Sequence, residues 1–516
     1  MKNLKYILLS ITILSGSCKK FLVEEPFSLK TPSELLQTES SAQAFVIGLY
    51  DKLSNTPNSR SFSAGLLVVA NFGTDDFAGK GNTSQAYADY MNYTYTSSEE
   101  TLDLIWKNFY AGINQASDII NNIPSSPLSD ASKNKYGAEA KFMRAFFYFY
   151  LVRMFGGVPL ITTATTSLDP NAFNTKRASI QEVYNQIIKD LKEAAPLLPE
   201  VSQTPAGRAT RGAALAMLTK VYLTMASHGK YKSVAGYEGV NVSEAFTNAV
   251  STGQQVLAIP DYALLSDYGS IFEVPTENNS EIIFSVQFEG SSKVSGKGGG
   301  LANLFAPANN GDINLSRGGQ NNARPTQNLI NKYETGDTRK ARNIVNFSYK
   351  GCVEVPGATT LALTYAGKFR KPCGFDGQHF SDPINLPLFR LADVMLMVAE
   401  ADAELNNGSA TARALKLVTD LRVKRYLSTV VPSAPTGDFL DFIFDERSRE
   451  LCYEGQRWFD LVRTGRLIDA VKATLLSVST TTAPINIQPK HYLYPIPINE
   501  ILNNSAIDVT DQNPGY

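Results

Sequence analysis

Residues 445–466 read DERSRELCYEGQRWFDLVRTGR. So dense a mixture of carboxylates and arginines either carries out chemistry or holds helices together. Asp445 and Arg449, Glu446 and Arg449, Glu454 and Arg457, and Asp460 and Arg463 stand three or four residues apart. Side chains at that spacing are neighbours on a helix face and pair as salt bridges. A hydrolytic pair of carboxylates needs one raised pKa, hence burial away from cations. Here each acid has an arginine near it in sequence, which lowers a carboxylate pKa. Phe442, Ile443, Leu451, Trp458, Phe459, Leu461 and Val462 supply the apolar side of the same helices, and Cys452 reads as a buried small apolar residue. The segment is expected to be an ion-paired framework.

Helical periodicity extends in both directions from it. Residues 389–406, 410–425, 437–453 and 457–473 carry amphipathic patterns, as do 40–53, 99–122, 130–155, 178–195, 209–227 and 243–258. In 99–122 one stripe holds Leu102, Ile105, Trp106, Phe109, Ile113, Ala116 and Ile120. The helices come in pairs with short loops, and Ala213, Ala214, Ala216, Ala399, Ala401 and Ala403 stand at close-packing positions. This resembles tetratricopeptide hairpins with irregular spacing. The expected fold is mainly α, a tetratricopeptide-like helical hairpin scaffold with long irregular loops and a few short strands.

Two regions depart from the helical rule. Residues 61–98 are rich in Gly, Asn, Asp and Tyr, and residues 262–388 contain long Gly/Asn runs with strand-like pieces such as EIIFSVQFE. The chain divides into a helical region 32–260, a loop-rich insertion 261–388 and a helical region 389–516, expected to form one compact domain.

The 516 residues are 43% hydrophobic and 19% charged, with a formal net charge of −1. That is globular composition without a basic field for nucleic acid. His228, His379 and His491 sit in no metal-ligand spacing. Gly296-Lys297 lacks the glycine spacing and the Ser/Thr of a phosphate loop, and no G-x-S-x-G elbow occurs. No metal and no cofactor is expected.

The N-terminus reads MKNLKYILLSITILSGSCKKF. Lys2 and Lys5 precede an apolar run, Tyr6–Leu14, too short to span a bilayer. Small residues and then Cys18 follow, as in a bacterial lipobox, although Ser15 stands where leucine is usual. Residues 1–17 read as a signal peptide, Cys18 as the acylated first residue, and 18–31 as an extended tether. Thr31-Pro32-Ser33-Glu34 then marks a helix start. Cys352 and Cys373 lie in Gly/Pro-rich loop sequence and either pair or stay free.

Several motifs in order resemble the SusD/RagB family: CKKF, LIWKNFYAGINQASDII, AEAKFMRAFFYFYLVRMFGGVPL (138–160), GRATRGAALAMLTKVYLTMA (207–226), FRLADVMLMVAEADAELN (389–406), ERSRELCYEGQRWFDLVRTGR (446–466) and YPIPINEILNN…QNPGY (494–516). The resemblance covers essentially the whole mature chain. It implies a SusD-like fold without catalysis, and a lipid-anchored, surface-facing outer-membrane lipoprotein. Such a protein binds a nutrient, usually an oligosaccharide, and serves a SusC-like TonB-dependent transporter. It also implies that Trp106 and Trp458 belong to framework motifs. A surface glycoside hydrolase and a helical scaffold that binds only protein partners are the competing readings.

Ligand residues do not carry over from these motifs, so the site is expected by region. Loop 71–95 offers Asp75, Asp76 and Asn82 for hydroxyls, and Phe72, Tyr87 and Tyr90 for apolar sugar faces. Loop 303–322 adds Phe305, Asn314 and Arg317. Sugars need both kinds of group, because their rings have apolar faces and polar edges.

Overall fold

A computed structural model describes residues 31–54, 62–79, 85–164, 174–288, 299–305, 323–347, 360–370, 382–477 and 486–516. Cys18, Cys352 and Cys373 lie outside the described residues.

The first described helix starts where the sequence places it. The Thr31 hydroxyl accepts from the Glu34 amide, the Glu34 carboxylate accepts from the Thr31 amide at 2.6 Å, and Pro32 fills the first turn. Helices α1 (Pro32–Leu35), α2 (Glu39–Asp51) and α3 (Phe62–Asn71) lead to strand β1 (Phe77–Gly79) and helix α4 (Gln85–Asn92). Five long helices follow: α5 (Glu100–Asn122), α6 (Asp130–Phe155), α7 (Ile180–Ala194), α8 (Arg211–Tyr231) and α9 (Val242–Leu257). The middle holds β2 (Ile282–Val286), α10 (Leu301–Phe305), β3 (Ala323–Pro325), α11 (Gln327–Lys332), α12 (Arg339–Asn343), β4 (Ile344–Phe347), β5 (Thr360–Ala366) and β6 (Leu386–Arg390). Helices α13 (Leu391–Leu405), α14 (Ala412–Arg425), α15 (Phe439–Leu451), α16 (Arg457–Arg463), α17 (Leu467–Ser477) and α18 (Ile498–Asn503) complete the chain.

Sequence neighbours pack as hairpins: α5 on α6, α6 on α7, α8 on α9, and α13 on α14. Helices α8 and α13 are buried along almost their whole length, so the core runs between them. Helix α9 closes on α13 through Gly253, where a Cβ would meet Val398 Cγ2 at 2.2 Å. Only a residue without a side chain permits that approach. Among the described residues the strands form three two-stranded antiparallel ladders, β1–β3, β2–β6 and β4–β5. No described helix is long and apolar enough to cross a membrane.

Two expectations are corrected. Region 61–98 is not loop throughout: all ten residues of α3 are buried. A helix surrounded by core has no polar face, so periodicity does not betray it. The pattern 437–453 holds as α15, but 457–473 breaks into two helices. Helix α15 ends at Leu451, Tyr453 takes φ +67° and Gly455 φ +71°, and α16 begins at Arg457. A second turn at Gly465, φ +71°, separates α16 from α17.

Those breaks redirect the expected ion pairs. Glu446–Arg449 and Asp460–Arg463 form within their helices at 2.6 and 3.0 Å. Glu454 and Arg457 face each other across the turn, not along a helix, and go elsewhere. Glu454 binds Lys368 and Arg390, both at 2.7 Å, while Arg457 binds Asp75. Asp445 is half-exposed and turns to Lys332 at 3.5 Å rather than to Arg449. Glu450 gathers Arg339, Arg390 and Arg425, and Glu446 gathers Arg339 and Arg422, all inside the protein. Cys452 is buried beside this cluster, and burial pushes its thiol up to about 11.

The cluster sets an acid limit. Burial alone would raise the Glu446 pKa, but the guanidiniums of Arg339, Arg449 and Arg422 hold it down at about 2. Glu450 lies well below its ordinary value because Arg425, Arg390 and Arg339 overcome the same burial. At Glu281 burial outweighs its two arginines and the shift is upward, a partial offset. Burial lowers His228 to about 3. A folded-state pKa below the unfolded one gives stability that is present at higher pH and lost as pH falls. Thermal stability is therefore expected to decline below about pH 6.5 through His228. It should fall more steeply between about pH 4.5 and 2 as Glu446 and Glu450 protonate on unfolding. Equal melting temperatures at about pH 7 and pH 3 would contradict this.

Candidate functional site

The two loops nominated from sequence are joined by one ladder. Strand β1 leaves loop 71–95 and pairs antiparallel with β3, which follows loop 303–322. Phe77 pairs with Pro325, Ala78 with Arg324, and Gly79 with Ala323. Gly79 and Ala323, the described residues nearest the two loop segments, thus pair at one end of the ladder. The other end is fixed by Thr326, whose amide donates to the Asp76 carbonyl at 3.1 Å and whose hydroxyl donates to the Asp75 carbonyl.

The described candidate side chains meet, but they face inward. Phe72 stacks on Tyr87 at 5.1 Å and meets Phe77 edge-on at 4.8 Å. Phe77 continues to Phe305 at 5.8 Å and to Tyr453 at 5.5 Å, and Phe305 stacks on Phe369 at 5.8 Å. Tyr90 belongs to a second group with Tyr95 and Tyr494. Phe72, Tyr87, Tyr90 and Phe305 are all buried. The expectation that they present faces to a sugar is corrected: Phe72, Tyr87 and Phe305 pack with Phe77 of β1 in one buried aromatic cluster, and Tyr90 packs in another. Burying large rings recovers more free energy than leaving them in water.

Asp75 and Asp76 are also buried, and they tie the loop to the framework. Arg457 Nε and Nη2 donate to the two Asp75 oxygens at 2.7 and 2.6 Å, a bidentate pair. Lys332 reaches Asp76 at 3.1 Å, and Ser448 donates to the other Asp76 oxygen. Burial favours the neutral acid at Asp75, but Arg457 and Lys332 prevail and hold it ionised far below its ordinary range. The expected hydroxyl-binding role of these two acids is likewise corrected to a structural one. Asn82, Asn314 and Arg317 lie outside the described residues.

Asp75→Ala is expected to destabilise the fold by about 2–3 kcal/mol, because it strips a buried guanidinium of two charged hydrogen bonds. The loss is limited because Asp76 stays within 3.4 Å of Arg457. Any ligand loss in this variant, or in one also lacking Asp76 and Tyr87, would then follow from unfolding. An unchanged urea midpoint would refute this.

Arg324 and Tyr365 were missed by sequence reasoning. The Arg324 guanidinium lies 5.8 Å from the centre of the Tyr365 ring, on the strand that carries the ladder. It is half-buried and makes no ion pair with any described residue. A planar cation held over a ring is pre-organised to donate several hydrogen bonds at once. Nothing in the local composition marks it; the strand pairing alone brings it to the ladder.

Comparison with known proteins finds similarity over most of the chain. A family described as starch-binding and associating with the outer membrane matches residues 20–223, and the SusD family matches residues 364–516. SusD-like protein P25 of Formosa agariphila is 27% identical over 549 aligned positions, covering 97% of each chain. A solved laminarin binding SusD-like protein is 27% identical, with a TM-score of 0.72, over 93% of this chain and 100% of that one. A SusD superfamily protein from Parabacteroides distasonis is 26% identical, with a TM-score of 0.76, over 93% and 99%.

Proposed function

Because the chain belongs to the SusD family, we propose that it binds a glycan at the cell surface and presents it for uptake. The observation that carries the reading is the β1–β3 ladder. It joins strands from the two separately nominated regions, with Phe77 in a buried aromatic cluster and Arg324 beside Tyr365. Loops on a rigid base are where recognition usually sits. Laminarin is the first ligand to try, since a relative of 27% identity is a laminarin binding SusD-like protein. A SusC-like TonB-dependent transporter is the proposed recipient.

The reading is of binding without turnover. Asp75, the acid that reaches the ladder, has its oxygens taken by Arg457 and offers no proton to a leaving group. Affinity of the isolated protein should be modest, micromolar to millimolar, or about 4–8 kcal/mol. Anchoring the protein and the transporter to one membrane raises their effective concentration and offsets that weakness.

Titration calorimetry against laminarin, starch and other neutral glycans tests the proposal. Arg324→Ala should weaken the bound glycan about tenfold without moving the melting temperature. No binding to any glycan by folded protein would sink the reading. Reducing-sugar release would convert it to the hydrolase alternative.

The proposed attachment is through acylated Cys18, since two or more chains hold a protein stably on a membrane. Cys18→Ala is expected to leave the melting temperature unchanged and to move the protein into the soluble fraction. Retention on outer membranes in high salt, without the transporter, would contradict it.

A further inference from the structure

Next to the Phe77–Pro325 end of the β1–β3 ladder lies a cavity of about 460 Å³ that the loop site does not use. Asp75, just before β1, and Gln327, just after β3, belong to its lining, at the ladder end away from Gly79 and Ala323. Helix α11 forms one wall with the amides of Gln327, Asn328 and Asn331, and helices α15 to α17 form the other. A volume of roughly 300–1,000 Å³ is that of small-molecule sites.

Its chemistry is specific. Every charge on the lining already has an opposite partner there: Asp75 with Arg457, Asp441 with Arg466, and Asp445 with Lys332. A charged ligand would have to break one of these pairs. The amides are neutral and positioned. Gln327 Nε2 donates to Asn331 Oδ1 at 2.6 Å, which leaves the Gln327 carbonyl and the Asn331 amino group without a partner among the described residues. Phe444 is the cavity's aromatic residue, and its ring is occupied: the Arg457 and Arg466 guanidiniums lie 4.8 and 4.7 Å from its centre. Ring stacking is therefore unavailable. Ala470 and Ala473 leave a shallow apolar patch instead.

We propose that this cavity is a second saccharide site, which takes a neutral mono- or disaccharide through its hydroxyl groups and rejects charged sugars. Gln327 and Asn331 meet the hydroxyls, with the Asn328 carbonyl beside them while its Nδ2 donates to Asp75 at 3.2 Å, and Ala470 and Ala473 meet the C–H face. The site stands on its own lining, whether or not the loops at the far end of the ladder hold a longer glycan.

The test uses the full mature chain, with glucose, laminaribiose and maltose as neutral probes and glucuronate and glucosamine as charged ones. Saturation-transfer NMR and calorimetry read binding, and laminarin retention in an affinity gel reads the loop site. Ala473→Trp fills the cavity from an exposed position, and Asn331→Leu, also exposed, removes an amide. At least one neutral probe should bind the wild type. Each variant should weaken that probe about tenfold or more, with laminarin retention and melting temperature unchanged. Neutral-probe binding in a wild type retained by no polysaccharide in the gel, laminarin and starch included, would support the cavity while sinking the loop reading. Three results would overturn the proposal: no neutral probe bound, binding indifferent to both variants, or charged sugars bound as tightly as neutral ones.

Discussion

Glu450→Ala is expected to destabilise the protein by about 5 kcal/mol, the largest effect of any single charge removed here. Its carboxylate accepts from Arg425 Nε and Nη2 at 3.1 and 3.0 Å, from Arg339 at 3.0 Å and from Arg390 at 3.1 Å. All four side chains are essentially inaccessible to water. Buried pairs add little net stability when complete, because desolvation offsets attraction. Removing one partner leaves uncompensated charge in a medium that cannot solvate it. Glu281, Glu446 and Glu454 neutralise part of the remaining charge but cannot fill the vacated position. Since a domain is stable by only about 5–15 kcal/mol, the variant should be largely unfolded or inclusion-bound. Asp445→Ala is the control, because that acid is half-exposed and should change stability by less than about 1 kcal/mol. Urea midpoints of the two variants decide the matter, and similar midpoints would refute the buried-cluster account.

Trp458→Ala should cost about 3–5 kcal/mol, as deletion of a buried aromatic does. The indole stacks on Tyr494 at 4.8 Å and meets Phe459 edge-on at 5.2 Å, and it is buried. Its Nε1 finds no hydrogen-bond partner among the described residues, so the loss is one of packing. Trp458→Phe should accordingly recover most of the stability. Trp106 differs, since its Nε1 donates to Glu500 at 3.0 Å and ties α5 to α18. A folded Trp458→Ala protein with unchanged stability and lost glycan binding would return the tryptophan to the ligand site and end the framework reading.

Much of the scaffold was legible in the sequence because its helices are long, capped and either periodic or apolar throughout. The pattern over 130–155 matches α6 residue for residue, with Ser129 capping its start and Gly156 ending it. Helix α3 was not legible, because a fully buried helix and an apolar loop segment share a composition. The ion-pair character of 445–466 was legible from spacing, but most of its partners were not. Arg339, Lys368, Arg390, Arg422 and Arg425 arrive through tertiary folding from up to 111 residues upstream. The candidate site was nominated as a pair of loops, and its described side chains, Phe72, Asp75, Asp76, Tyr87, Tyr90 and Phe305, were misread because they are buried. Composition shows that Phe72, Tyr87 and Phe305 combine ring faces with nearby polar groups. It does not say which side of the loop is covered. The direction is set by β1–β3 pairing and by Arg457, neither of which is a local property.

The Arg457–Asp75 bond joins residues 382 apart in the chain. The segment before β1 therefore acquires its anchor only after nearly all of the polypeptide has emerged. An N-terminal half made first has its hairpins, which are local, but lacks the partner that neutralises Asp75 and the strand that pairs with β1. Contacts of such long sequence separation form late and slow the overall rate. The nascent molecule accordingly passes through a stage with finished helices and an unfinished binding edge, its aromatic rings still open to water.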